Sequence, residues 1–301
     1  MPSSVDAVVV GAGIIGLTTG IRLAEAGMRV LIRTGAPPAE TTSALAGAMV
    51  GPAFALPDDR ARAWEAVTRE EVTGAPGVHV CRGMLAAREP GLVPPGYEPV
   101  EGPDGFLTAF WAELPMVDMP VYLEHLAARF TAAGGVIEIA PVTSLEEAAA
   151  LAPRVANCSG LGARRLADDP TVVPVRGPRI VVENPGIDTF FMEAPFGTTT
   201  TSFIPHGETM VLGSIRAEGS YDTTPDAEEA EELVRRAALV EPRIEGVKIL
   251  AHHVGLRPGR PEIRLEATEI GSATCVHNYG HSGIGVTVSW GCATEAAALL
   301  T

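Results

Sequence analysis

The sequence predicts an α/β protein: a doubly wound, parallel-sheet domain interleaved with a second, antiparallel-sheet α+β domain. Three observations carry this. A buried-type apolar run at residues 5–10 passes through a glycine-rich turn into helically spaced residues and then a second apolar run. Further α/β pieces fall in the middle and in the last part of the chain, and threonine-rich alternating segments lie between them. The doubly wound domain is accordingly expected over 1–56, 120–175 and 255–301, and the second, substrate or cap domain over 57–119 and 176–254.

Each element has its reason. Residues 5–10 read as a buried parallel strand. Residues 17–26 space Leu17, Ile21, Leu23 and Ala24 helically and stop at Gly27, a C-cap residue. Residues 29–32 form the second strand. Proline and glycine crowd residues 57–119, which predicts irregular structure and short antiparallel strands there. A helix is expected over 121–133 (Tyr122, Leu123, Leu126, Phe130), stopped by Gly134 and Gly135. Strands follow at 136–139 and 155–158. Alternation predicts antiparallel strands between 179 and 214, an acidic amphipathic helix over 227–239, and strands at 248–254 and 274–276. A last helix starts near Thr287.

Composition bounds the function. The 301 residues carry 22 basic and 37 acidic side chains, a net charge of −15, which disfavours nucleic acid or an anionic membrane as the main partner. Lys248 is the sole lysine, and arginine holds a carboxylate bidentately where lysine cannot. No apolar run reaches membrane-spanning length, and residues 1–7 carry no basic leader. Cys81, Cys158, Cys275 and Cys292 are scattered, so reduced thiols in the cytoplasm are expected, with no metal-ligand spacing.

Gly11, Gly13 and Gly16 form GxGxxG between strand and helix. The first permits a tight turn, the second admits a pyrophosphate against backbone, and the third lets helix and strand pack closely. The acidic residue usual at the end of the second strand is replaced by Arg33 and Thr34. Arg33 leaves a 2′-phosphate, and so a nicotinamide-dependent dehydrogenase, open; with Thr34 it equally suits the adenosine of FAD. A second glycine-rich turn (Gly280, Gly283, Gly285) opens the last helix, and two anion-seeking helix starts favour FAD. The expected domain is thus Rossmann-like and FAD-binding.

These stretches closely resemble the D-amino-acid oxidase family, its bacterial members in particular. The resemblance runs through VVVGAGIIGL, TTSALAGA at 41–48, LPMVDMPVYLEHL at 114–126, VANCSGLGARRL at 155–166, VPVRG at 173–177, VGLRPGRPEIRLE at 254–266 and HNYGHSGIG at 277–285. It implies oxidative deamination of a D-amino acid by hydride transfer to flavin N5, giving a 2-oxo acid, ammonia and hydrogen peroxide. Its partners would be an amino acid and oxygen, with a homodimer left open. It implies that Arg257 holds the substrate carboxylate and that backbone at Ser282 and Gly283 meets the amine and the flavin edge. The implied FAD contacts are Gly11, Gly13, Ile15, Gly16, Arg33, Thr34, Thr41, Thr42, Ser43, Gly47, Ala48, Val142, Ser159, Gly160, Gly283, Gly285, Val286 and Thr287. Arg260 and Arg264 are expected in structural ion pairs, and His277 and His281 as orienting groups in the turn.

The chain departs from the family where substrate would sit. Ser202 and Thr198 stand where tyrosines are usual, and Met49, Val50, Gly51 and Ala53 replace bulkier aromatics. The substrate is therefore expected to be atypical. Arg216 matches a segment in which relatives acting on D-aspartate carry arginine. An acidic D-amino acid is one alternative, an Arg216 paired with Glu218 or solvent the plainer one, and a non-catalytic flavin-binding protein a third.

Overall fold

The computed structural model describes residues 5–52, 56, 58–91, 93–194 and 197–301; Ala53 lies outside them. In chain order the elements are β1 (Ala7–Val10), α1 (Ile14–Glu25), β2 (Val30–Thr34), β3 (Ala48–Met49), α2 (Asp59–Val72), β4 (Val78–Ala87), β5 (Thr108–Val117), α3 (Met119–Ala132), β6 (Val136–Ile139), α4 (Leu145–Ala149) and β7 (Arg154–Asn157). There follow α5 (Ala163–Leu166), β8 (Val173–Glu183), β9 (Phe190–Glu193), β10 (Thr199–His206), β11 (Thr209–Ile215), β12 (Ala217–Glu218), α6 (Ala227–Val240), β13 (Ile249–Gly259), β14 (Arg264–Ile270), β15 (Ala273–Tyr279) and α7 (Gly285–Ala298).

Two sheets organise them. The first has the order β14-β15-β7-β1-β2-β6, parallel except for β14, which pairs antiparallel with β15. The second has nine strands in the order β12-β8-β11-β10-β9-β4-β5-β3, with β13 also paired to β8. It is antiparallel save for the β4–β9 pair. The β1 run AVVV is fully buried, as a strand covered on both faces must be. On one face Leu17 and Ile21 of α1 meet Tyr122, Leu126 and Phe130 of α3 and Trp290 of α7. The Trp290 indole N–H donates to the Tyr122 hydroxyl at 2.8 Å.

The region 57–119 is more regular than its proline and glycine content predicts. It holds α2 and a β4–β5 hairpin of ten residues per strand. Asp58 caps α2 by accepting from the Ala61 amide at 2.7 Å, and the buried stripe runs through Ala61, Trp64, Glu65, Thr68 and Val72. Two of those five are polar, which hides the helical period from a hydrophobicity pattern. The four cysteines are free and buried, and no described helix is long and apolar enough to cross a membrane.

Candidate active site

A cavity of about 630 Å³ opens where the two sheets meet. Its first wall is the turn between β1 and α1. Gly11 has φ +106°, a conformation glycine adopts without strain, and a Cβ on it would lie 2.6 Å from the Cys158 carbonyl oxygen. A Cβ on Gly16 would lie 1.9 Å from the Gly11 carbonyl oxygen, so Gly16 sets the approach of α1 to the turn and does not itself line the cavity. The α1 N-cap, Gly13, supplies no side chain, and the Ile14 amide instead donates to Ser43 Oγ at 2.9 Å. That bond brings the 41–48 segment against the helix start, where the macrodipole favours an anion.

A second group of lining residues lies at the end of β2. Arg33 and Thr34 are its last two residues. Arg33 Nε donates to the Ala140 carbonyl at 2.7 Å, and its Nη2 lies 3.8 Å from Glu147. The guanidinium is thus tied to the chain. Val142 and Pro141 stand beside it in the lining.

The third group is the turn between β15 and α7 with the strands that face it. Ser282 holds φ +49°, and its amide donates to the Pro258 carbonyl at 2.9 Å. The first turn of α7 places Gly285, Val286 and Thr287 in the lining, and the buried Thr287 hydroxyl donates to the Met49 carbonyl at 3.1 Å. Arg257, on β13, crosses the face of β8 at Gly177: a Cβ there would lie 1.9 Å from Arg257 Nη1. Arg257 Nη1 is buried with no hydrogen-bond partner among the described residues. Burial and then the neighbouring Arg216 push its pKa down to about 10. A desolvated cation without a counter-ion is costly, which marks the spot for an anionic ligand.

Of the residues expected to contact substrate or FAD, all but Gly16 and Thr198 line this cavity. Thr198 is exposed, and its carbonyl accepts from the Arg216 amide at 2.7 Å. Ser202 lines the cavity, but its hydroxyl is already donated to the Gly213 carbonyl at 2.8 Å. Arg216 forms no ion pair with Glu218. Its Nη1 lies 3.3 Å from where a Gly283 Cβ would be, and Arg257 Cδ lies 3.8 Å from the same point, so the two arginines flank Gly283. Arg260 and Arg264 are paired as expected, with Asp169 at 3.0 Å and Glu266 at 2.7 Å. His277 is held between Asn157 at 3.2 Å and Thr268 at 3.1 Å. Burial pushes His277 down to about 4 and His281 to about 3, so both stay neutral.

The sequence reading passes over one lining residue of consequence, Arg179. It lies two residues beyond Gly177 on β8, hence on the same strand face, and its Nε is buried without a hydrogen-bond partner. The β8–β11 register pairs Ile180 with Leu212, which sets Arg179 beside Gly213, and Gly213 pairs with Ser202. The signal was a period-2 step from the glycine of VPVRG.

The donor set suits a dinucleotide with an anionic companion. Two helix starts and a glycine turn offer backbone amides, and Asn278 Oδ1 and His281 Nε2 are buried lining atoms that lack a partner within the described chain. Comparison with known proteins agrees. Residues 6–299 match the family model DAO, FAD dependent oxidoreductase, and the chain belongs to that family. FAD is therefore its cofactor, and the nicotinamide alternative falls. The chain is 43% identical to a D-amino-acid oxidase of Rubrobacter xylanophilus, covering 97% of this chain and 95% of that protein. It is 44% identical to a D-amino-acid oxidase of Streptomyces coelicolor, covering 98% and 96%. Glycine oxidase from Geobacillus kaustophilus superimposes with a TM-score of 0.83 at 19% identity, covering 99% of this chain and 94% of that one, a likeness of fold.

Proposed function

We propose that the protein is an FAD-dependent oxidase that deaminates a D-amino acid. The observation that carries this is a dinucleotide cradle sharing one cavity with Arg257, a buried guanidinium with an unpartnered nitrogen. Full-length likeness to two D-amino-acid oxidases supports the substrate class.

Bound FAD supplies the hydride acceptor. The chain's own work is positioning, the main requirement of hydride transfer. Arg257 holds the substrate carboxylate by charge-assisted bonds, each contributing roughly 1.5–3 kcal/mol. The backbone of Ser282 and Gly283, fixed by the bond to Pro258, orients the amine. Loss of a hydride from Cα, with the amine's proton, leaves an imino acid, and its hydrolysis gives a 2-oxo acid and ammonia. Oxygen is the proposed terminal acceptor, reduced to hydrogen peroxide. Met49, Met192, Ile204 and Val211 give the wall an apolar stretch that excludes water. The flavin contacts would be the cavity-lining residues named above, with Gly16 acting through packing. Four unpaired cysteines support a cytoplasmic setting.

A second reading concerns the side chain of the substrate. Arg216 and Arg179 have no ion-pair partner among the described residues, and with no tyrosine at Ser202 the pocket is wide and cationic. An acidic D-amino acid fits this. The test is anaerobic flavin bleaching across a D-amino-acid panel, with Arg216→Ala beside wild type. D-amino acids should bleach the flavin and their enantiomers should not. For D-aspartate or D-glutamate, Arg216→Ala should raise KM by about 10-fold or more, the loss of one charge-assisted bond, while D-alanine stays unaffected. A flavin that no D-amino acid bleaches overturns the oxidase reading, and equal effects on acidic and neutral substrates overturn the role of Arg216.

A further inference from the structure

Asp169 lies just ahead of β8, 7% exposed, and outside the cavity lining. Its Oδ1 is held locally, accepting from the Thr171 amide at 3.1 Å and the Thr171 hydroxyl at 2.5 Å. Its Oδ2 bridges two other segments. It accepts from the Tyr279 hydroxyl at 2.9 Å and from Arg260 Nε at 3.0 Å. Tyr279 is the last residue of β15, immediately before the turn that carries Ser282 and Gly283. Arg260 stands three residues after Arg257, just past the end of β13.

The two segments interlock at the same point. Gly280 has φ +85°, and the stem of Arg260 fills the space beside it: a Cβ on Gly280 would lie 2.8 Å from Arg260 Cδ. Arg264 Nη1 donates to the Tyr279 hydroxyl at 2.6 Å, which turns that hydroxyl's proton toward Asp169. One carboxylate oxygen therefore joins the strand end bearing Arg257 to the turn bearing the amine-facing backbone.

We infer that Asp169 is a positioning residue that sets the spacing between Arg257 and the Ser282–Gly283 backbone. This rests on the reading of Arg257 as the carboxylate clamp. A carboxylate is required in place of an amide because both oxygens accept, Oδ1 from Thr171 and Oδ2 from Tyr279 and Arg260, and an amide nitrogen on either side would face donors; the charge also strengthens the bonds. Burial raises the Asp169 pKa, but the bonds from Thr171, Tyr279 and Arg260 outweigh it and keep the group ionised across the working range.

The experiment uses FAD-loaded Asp169→Asn and, because that variant puts a buried pair at risk, Tyr279→Phe, which removes one hydroxyl. Hydrogen exchange of the 280–287 segment and anaerobic flavin reduction at saturating substrate are read alongside FAD affinity. Expected, in enzyme kept saturated with FAD, are turn amides exchanging about 10-fold faster or more and flavin reduction slowed by about 10- to 100-fold. Combining the substitutions should be less than additive, because both cut the same bridge. Unchanged turn exchange overturns the inference, as does a loosened turn with unchanged reduction or a rate loss that only follows FAD loss. If wild type is bleached by no D-amino acid, the functional reading fails, and hydrogen exchange still decides the role of Asp169.

Discussion

At Gly177 β8 carries no side chain, and the guanidinium of Arg257 occupies the room a Cβ would take. Gly177→Ala is therefore aimed at the proposed clamp and not at the fold, because the atom it displaces is the far end of a flexible arginine. KM should rise by about 10-fold or more, the loss of one charge-assisted bond, with FAD affinity and urea midpoint kept; steady-state kinetics beside an FAD titration check this. Arg257 was legible in the sequence because GLRPGRP is a local motif. Its dependence on Gly177 was not, since the two residues meet only through the β8–β13 register. Arg179 and Asp169 were invisible for the same reason: each owes its role to residues far along the chain. Ser202 lines the cavity at a lid position, but that its hydroxyl donates to Gly213 shows only in the β10–β11 register.

Among the elements, α2 and α7 form the support of the cavity's second helix start. Trp64 of α2 is 6% exposed, packs with Val288 and Cys292 of α7, and donates its indole N–H to Glu295 at 2.8 Å. Thr68, one turn on, accepts from the Trp290 amide at 3.1 Å. Truncating Trp64 opens a large void beneath α7, so Trp64→Ala should cost about 3–5 kcal/mol in a urea titration. It should also weaken FAD binding, because the α7 start lines the cavity proposed to hold the cofactor. The β-turn-α-β opening was readable because its apolar period and its glycines agree. The α2 helix was not, because buried Glu65 and Thr68 break the apolar stripe and proline-rich segments flank it.

For the whole molecule, a net charge of −15 surrounds a cavity whose wall is cationic. Among the described residues the cavity lining holds no acidic residue, and Arg179 and Arg257 line it with buried, unpartnered nitrogens. Stability against pH has a matching asymmetry. Burial lowers His277 from the ordinary 6.5 to about 4 and His281 to about 3, so between those values and 6.5 the unfolded chain binds more protons than the folded one. Their contribution is present above pH 6.5 and is lost as pH falls through the folded values. Thermal melts of the FAD-loaded protein should show a midpoint falling from pH 7.5 to pH 5, and His281→Gln should flatten that slope. The four cysteines complete the picture at this scale. Burial pushes Cys158 and Cys275 up to about 12 and raises Cys81 and Cys292 as well, and Cys158 lies in the cavity wall itself. Peroxide attacks thiolates far faster than thiols. An oxidase of the proposed kind releases its oxidant beside Cys158, and keeping that thiol protonated makes the protein resistant to the corrosion its own turnover would cause.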